Sequence, residues 1–126
     1  MKCINDKYAP EPMGPYSDAV RSGNLLFISG QAPFGSSGEL VGKDITEQTR
    51  HAMKNLISLL VSVGLGVNNV VKATVYLADW NDFAGYNEVY KQTMGDHKPA
   101  RATIAVKRLA QDALIEMEFI AEFPDQ

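Results

Sequence analysis

The sequence predicts a single α+β domain spanning residues 1–126, with a mixed six-stranded sheet and two helices packed on one of its faces. Three observations carry this. Short β-branched and apolar runs with period-2 alternation flank two longer stretches with helical periodicity. Gly, Pro and Asn clusters separate them. The 126-residue chain, 45% hydrophobic and 21% charged, is composed like a globular domain able to bury its own core.

Pro10, Pro12 and Gly14-Pro15 break up the first segment, which reads as an extended arm. Ala19-Val20-Arg21 and Leu25-Leu26-Phe27-Ile28-Ser29 flank Ser22-Gly23-Asn24 and read as a β-hairpin. The second arm is apolar on both faces, as a central strand is. Gly35-Ser36-Ser37-Gly38 is a loop, and a further short strand can lie near Leu40.

Asp44-Ile45-Thr46-Glu47 is a helix start, with Asp44 as cap and Glu47 reaching back. Ile45, Ala52, Met53, Leu56, Leu59, Leu60 and Val63 form one helical stripe, and Gly64 and Gly66 end it. Val70 to Leu77 is a strand. Alternation puts Lys72, Thr74 and Tyr76 on one face and Val71, Ala73, Val75 and Leu77 on the other. A second helix runs from about Asn81 to Met94, with Phe83, Tyr86, Val89 and Tyr90 supplying apolar area. The last strands are Arg101 to Lys107 and Ala113 to Phe123.

Arg101 is the most informative residue. Pro99 suits the start of a strand, and a guanidinium just after it offers a fixed fork of donors that fits a carboxylate. Glu116 follows inside the second apolar run. If residues 109–112 join these strands as a hairpin, then Ala105 opposes Glu116 and Arg101 opposes Ile120. Arg101, Thr103, Glu116 and Glu118 then share a face, with Arg101 and Glu116 about 13 Å apart along the sheet. A small carboxylate-bearing substrate and one water fit between them. The plainer alternative is a strand-to-strand ion pair worth about 0–1 kcal/mol.

Two helices cover only one face of such a sheet. A bare face mixing Leu, Ile, Ala and charges marks an interface, and small-molecule pockets favour such junctions. A closed homo-oligomer with the site between subunits follows as an expectation.

The net charge of -3 weighs against non-specific nucleic-acid binding. No run approaches the ~18 apolar residues that span a membrane, and the first residues lack the apolar core of a signal peptide. Cys3 is the only cysteine, so a disulfide within the chain is impossible and a cytoplasmic location is expected. His51 and His97 read as surface histidines, and no spacing suggests a metal site.

Several pieces together match a known pattern. They are Gly14-Pro15-Tyr16-Ser17, Ile28-Ser29-Gly30-Gln31, Asn81-Asp82-Phe83, Asn87-Glu88-Val89-Tyr90, Pro99-Ala100-Arg101 and Asp112-Ala113-Leu114-Ile115-Glu116-Met117-Glu118. In their order and spacing the chain resembles the reactive intermediate deaminase family (RidA, formerly YjgF), from Ala9-Pro10 to Ala121.

The resemblance implies a homotrimer of chorismate-mutase-like α+β fold with three clefts between subunits. It implies cofactor-free hydrolysis of enamines and imines, such as 2-aminoacrylate and 2-aminocrotonate, to 2-keto acids and ammonia. It puts the carboxylate-gripping arginine at Arg101 and the water-orienting glutamate at Glu116. Substrate-binding roles fall on Tyr16, Ser29, Gly30 and Asn87, with backbone contacts at Thr103. Many members carry cysteine where Thr103 stands, so no thiol switch operates there. Competing readings are a non-catalytic carboxylate-binding regulatory trimer, a pathway-specific deaminase, and an RNA-cleaving translation inhibitor.

Overall fold

The computed structural model describes residues 1–7 and 11–125. Ala9 and Pro10, the first pieces of the resemblance, lie outside the described residues.

Strand β1 is Lys2–Ile4, β2 is Ala19–Ser22 and β3 is Leu25–Ile28. β2 and β3 form the expected hairpin, turning through Gly23 at φ +61°. Helix α1 runs Ile45–Ser62. Asp44 Oδ1 accepts from the Glu47 N–H at 2.9 Å, and the Glu47 carboxylate accepts from the Lys43 N–H at 2.7 Å. Glu47 thus reaches back one residue further than a capping box requires. The helix stops as predicted. Gly64 takes φ +80°, its N–H donates to Val61 O, and Leu65 N–H donates to Leu60 O. This is the six-to-one and five-to-two closure that a left-handed residue after a helix permits.

Strand β4 is Val70–Leu77, helix α2 is Phe83–Met94, β5 is Ala100–Ala105 and β6 is Ile115–Glu122. A short 3-10 turn over Trp80–Asp82 leads into α2. The sheet order is β1-β2-β3-β6-β4-β5. Six strands are present, as expected, but the sixth is Lys2–Ile4 at one edge, within the segment read as a loose arm. Near Leu40 there is only an isolated bridge to Phe34.

The hairpin expected of the last two strands does not form. β5 pairs in parallel with β4 and ends the sheet, whereas β6 enters antiparallel between β3 and β4. The physical reason lies in α2. A helix between two strands returns the chain to the end where the first strand began, so β4 and β5 run parallel. β6 then takes the remaining long edge of β4, over seven paired positions.

Both helices pack on one face. The core joins Leu56, Leu59 and Leu60 of α1 and Tyr86 of α2 to Leu26, Ala73, Val75, Leu77, Met117 and Phe119 of the sheet. Truncating a fully buried leucine such as Leu56 to Ala would cost about 2–5 kcal/mol. A register irregularity between Val70 and Lys72 buries Val70 and leaves Val71 exposed, correcting the face expected for Val71. The opposite sheet face is bare, with Leu25, Phe27 and Ile104 exposed at 37%, 42% and 47%.

Candidate active site

The expected site residues fall into two groups on opposite faces of the sheet. Arg101 is in register with Ala73 of β4, which pairs with Phe119 of β6. Arg101 and Thr103 therefore project on the helix side. Glu116 is in register with Tyr76, and Glu118 with Thr74, on the bare side. The shared face expected for Arg101, Thr103, Glu116 and Glu118 is thus corrected. It depended on a hairpin that the parallel β4–β5 pairing replaces.

The arginine group is built by β5 and α2. Arg101 Nη1 donates to Asn87 Oδ1 at 2.8 Å. Its guanidinium carbon lies 4.8 Å from the Tyr90 ring centroid, 5.4 Å from Tyr86 and 5.8 Å from Phe83. These rings sit three and four residues apart on α2, so they line one helix face toward the edge strand. Phe83 also stacks on Trp80 at 5.0 Å. The quadrupoles hold the cation without neutralising it. Among the described residues the ion pair is Arg108 with Asp112, and Arg101 has no carboxylate partner. It lines a pocket with Asn87, Tyr90, Met94 and Pro99. A charged donor fork, oriented but unpaired, is suited to a carboxylate.

Thr103 Oγ1 and Tyr86 Oη are 2.6 Å apart. Burial pushes the Tyr86 phenol up, opposed by its bond to Thr103 and by Arg101. The threonine hydroxyl is thereby committed to a buried partner.

The glutamate group is built by β6 and the segments before and after β3. Glu116 is half-buried and lines a separate pocket with Glu11, Tyr16, Asp18, Gly30 and Gln31. Gln31 N–H donates to Met117 O at 2.7 Å, and Met117 N–H donates back to Gln31 O at 3.0 Å. This two-bond bridge holds Gly30 against the glutamate. A Cβ on Gly30 would lie 2.9 Å from Glu116 Cδ, so any larger residue there would push the glutamate side chain aside. Burial first, and Glu118 second, push the Glu116 carboxyl above the ordinary glutamate range. Glu118 accepts a very short hydrogen bond from Tyr76 Oη, and that bond leads the effects raising the Tyr76 phenol to about 12.

Tyr16 is half-exposed at this pocket, its Oη accepting from Met13 N–H at 3.2 Å. Ser29 Oγ donates to Ser17 O at 2.7 Å, so its hydroxyl serves the backbone. Both histidines accompany backbone carbonyls rather than standing free in solvent: His51 Nε2 lies 3.0 Å from Phe34 O and His97 Nε2 2.6 Å from Val70 O.

Tyr16, Gly30 and Glu116 are therefore gathered in one pocket, and Asn87 and Arg101 in another. The sequence reading missed the ring support beneath Arg101. In sequence Phe83, Tyr86 and Tyr90 read as core area alone, although their helical spacing beside a strand-start arginine is the available signal. It also missed Tyr76 as the partner of Glu118. Among the described residues, no group of three or more His, Cys, Asp or Glu side chains could hold a metal ion. No described helix is long and apolar enough to cross a membrane.

Comparison with known proteins adds a family context. Residues 6–123 match the family described as endoribonuclease L-PSP. The chain is 51% identical over 114 residues to a RutC family protein of Pyrococcus horikoshii, covering 90% of each. It is 44% identical over 121 residues to the 2-iminobutanoate/2-iminopropanoate deaminase of Mus musculus, covering 95% of this chain and 90% of that one. Among solved structures, E. coli TdcF with bound serine superposes with a TM-score of 0.92 at 38% identity, covering 98% of this chain and 100% of that one. Yeast Mmf1 superposes with a TM-score of 0.93 at 32% identity, covering 98% of each.

Proposed function

Because the chain belongs to the endoribonuclease L-PSP (RidA/YjgF) family, we propose that it is a hydrolytic deaminase of reactive enamines and imines. Its substrates are of the 2-aminoacrylate and 2-aminocrotonate type, and its products are 2-keto acids and ammonia. The observation that carries this reading is the Arg101 guanidinium, oriented by Asn87 and three rings yet unpaired with any described carboxylate. Support also comes from the mouse relative, which is named for this chemistry.

The active unit in this reading is a closed trimer. One protomer contributes Arg101 and Asn87, with backbone contacts at Thr103. A neighbour contributes Tyr16, Ser29, Gly30 and Glu116. The exposed Phe27 and Ile104 on the bare sheet face supply apolar area for such an interface. The number three comes from the family resemblance.

Arg101 holds the substrate carboxylate through charge-assisted bonds. The enamine tautomerises to the imine by gaining a proton at carbon and losing one from nitrogen. Water, oriented by Glu116, adds its oxygen to the imine carbon, and its proton passes through the carboxylate to the nitrogen. The resulting carbinolamine transfers its hydroxyl proton to the nitrogen and expels ammonia as the C–N bond breaks, leaving the keto acid. A carboxyl raised by burial exchanges protons closer to neutrality than an ordinary glutamate does, as an acid–base group must.

The family's endoribonuclease name offers a second reading, but the Glu116 pocket also contains Glu11 and Asp18. That acidic lining repels a phosphodiester. The deciding experiment couples an amino-acid dehydratase that releases 2-aminoacrylate to keto-acid detection. Wild-type protein is expected to accelerate 2-keto acid release, and Arg101→Ala to abolish the acceleration. An unimpaired Arg101→Ala protein would defeat the assignment.

A further inference from the structure

The pocket that holds Arg101 continues between the last turn of α2 and the loop entering β5. Its floor is apolar, formed by Met94 and Pro99, and its rim carries Lys91 and Lys98. Neither lysine pairs with a carboxylate among the described residues. Tyr90, which also lines this pocket, is only 7% exposed, and its hydroxyl has no hydrogen-bond partner. That oxygen is itself sealed from solvent, so Tyr90 meets the pocket through its ring. His97 is already engaged by Val70 O.

The C-terminal carbonyls of α2 alone would disfavour an anion here, and Lys91 in the last turn partly answers that dipole. Lys98 lies beyond the helix and is not explained by it. Asp96 is exposed and does not line the pocket.

We propose that this pocket takes a second acidic group, so that the preferred ligand is a small dicarboxylate: the 2-imino derivative of a dicarboxylic amino acid and its 2-oxo product. This rests on the reading of Arg101 as the carboxylate clamp. The carboxylate next to the reacting carbon sits on Arg101 and Asn87. The ligand's methylenes lie along Met94 and Pro99. The distal carboxylate lies between Lys91 and Lys98.

Calorimetric titration of the full chain with 2-oxoglutarate and 2-oxopentanoate, at one ionic strength, tests this. The two share chain length and differ only in the terminal carboxylate. Two rim lysines give on the order of tenfold tighter binding of 2-oxoglutarate. In Lys91→Gln/Lys98→Gln protein the preference is expected to fall within about twofold, with 2-oxopentanoate binding unchanged. Equal affinities in the wild type, or an intact preference in the double variant, would overturn the proposal. Arg101→Ala separates the two levels. Loss of both ligands upholds the clamp whatever the preference, whereas undiminished binding of both removes the clamp reading and this inference with it.

Discussion

Arg101 and Glu116 project from opposite faces of the sheet of one protomer, through register positions Ala73 and Tyr76 of β4. No side-chain rotation brings them together, so a reaction needing both requires two copies of the chain. Arg101→Ala and Glu116→Gln proteins are each expected to be inactive. Co-assembled in equal amounts they should regain about a quarter of wild-type activity, because random assembly brings together one intact half from each in that fraction of interfaces. Absence of any recovery in mixed oligomers verified by mass spectrometry would rule out a shared site.

Glu116 also makes a prediction about pH. Its folded-state carboxyl is raised above the ordinary value, chiefly by burial. The folded protein then binds more protons than the unfolded chain between those two values, and stability falls as pH rises through that window. Glu116→Gln removes the penalty. It should raise the thermal midpoint at pH 8, give no gain at pH 3.5, and lower turnover by at least about 100-fold. Melting curves across that range, beside the coupled assay, check both parts. An equal shift at both pH values would point to packing rather than titration.

At Gly30 the expected effect is on catalysis more than on folding. An added methyl would crowd Glu116 Cδ at 2.9 Å and Cγ at 3.3 Å. The carboxylate is the mobile party, so under the proposed mechanism Gly30→Ala should swing it away from the attacking position and lower kcat by about tenfold or more. A steady-state comparison in which kcat is unchanged would mean that the carboxylate position is immaterial.

Thr103 carries a packing role that its strand position hides. Thr103→Val strands the buried Tyr86 hydroxyl and should cost about 1–3 kcal/mol by denaturant unfolding. Adding Tyr86→Phe removes the orphaned group and should restore most of the loss. Additive losses in that double-mutant cycle would show that the 2.6 Å contact is not a stabilising bond.

Much of the molecule was legible before any coordinates. Asp44, Glu47 and Gly64 announce the ends of α1 because caps and left-handed terminators act within a few residues. Gly23 announces the β2–β3 turn for the same reason. The small strand β1 was missed because its three residues carry too little pattern to register as a strand. Gly30 could be picked out by resemblance, but only its proximity to Glu116 explains what a side chain there would displace.

The sequence by itself determined the two helices, five of the six strands, the residues with chemical promise and the family, since each depends on local periodicity or on an ordered set of short motifs. Tertiary structure decided which strands are neighbours, and through them which face each promising side chain takes. Strand pairing joins residues far apart in the chain, so no window of sequence contains it. One parallel crossover through α2 put β4 between β5 and β6 and carried Arg101 to the side away from Glu116.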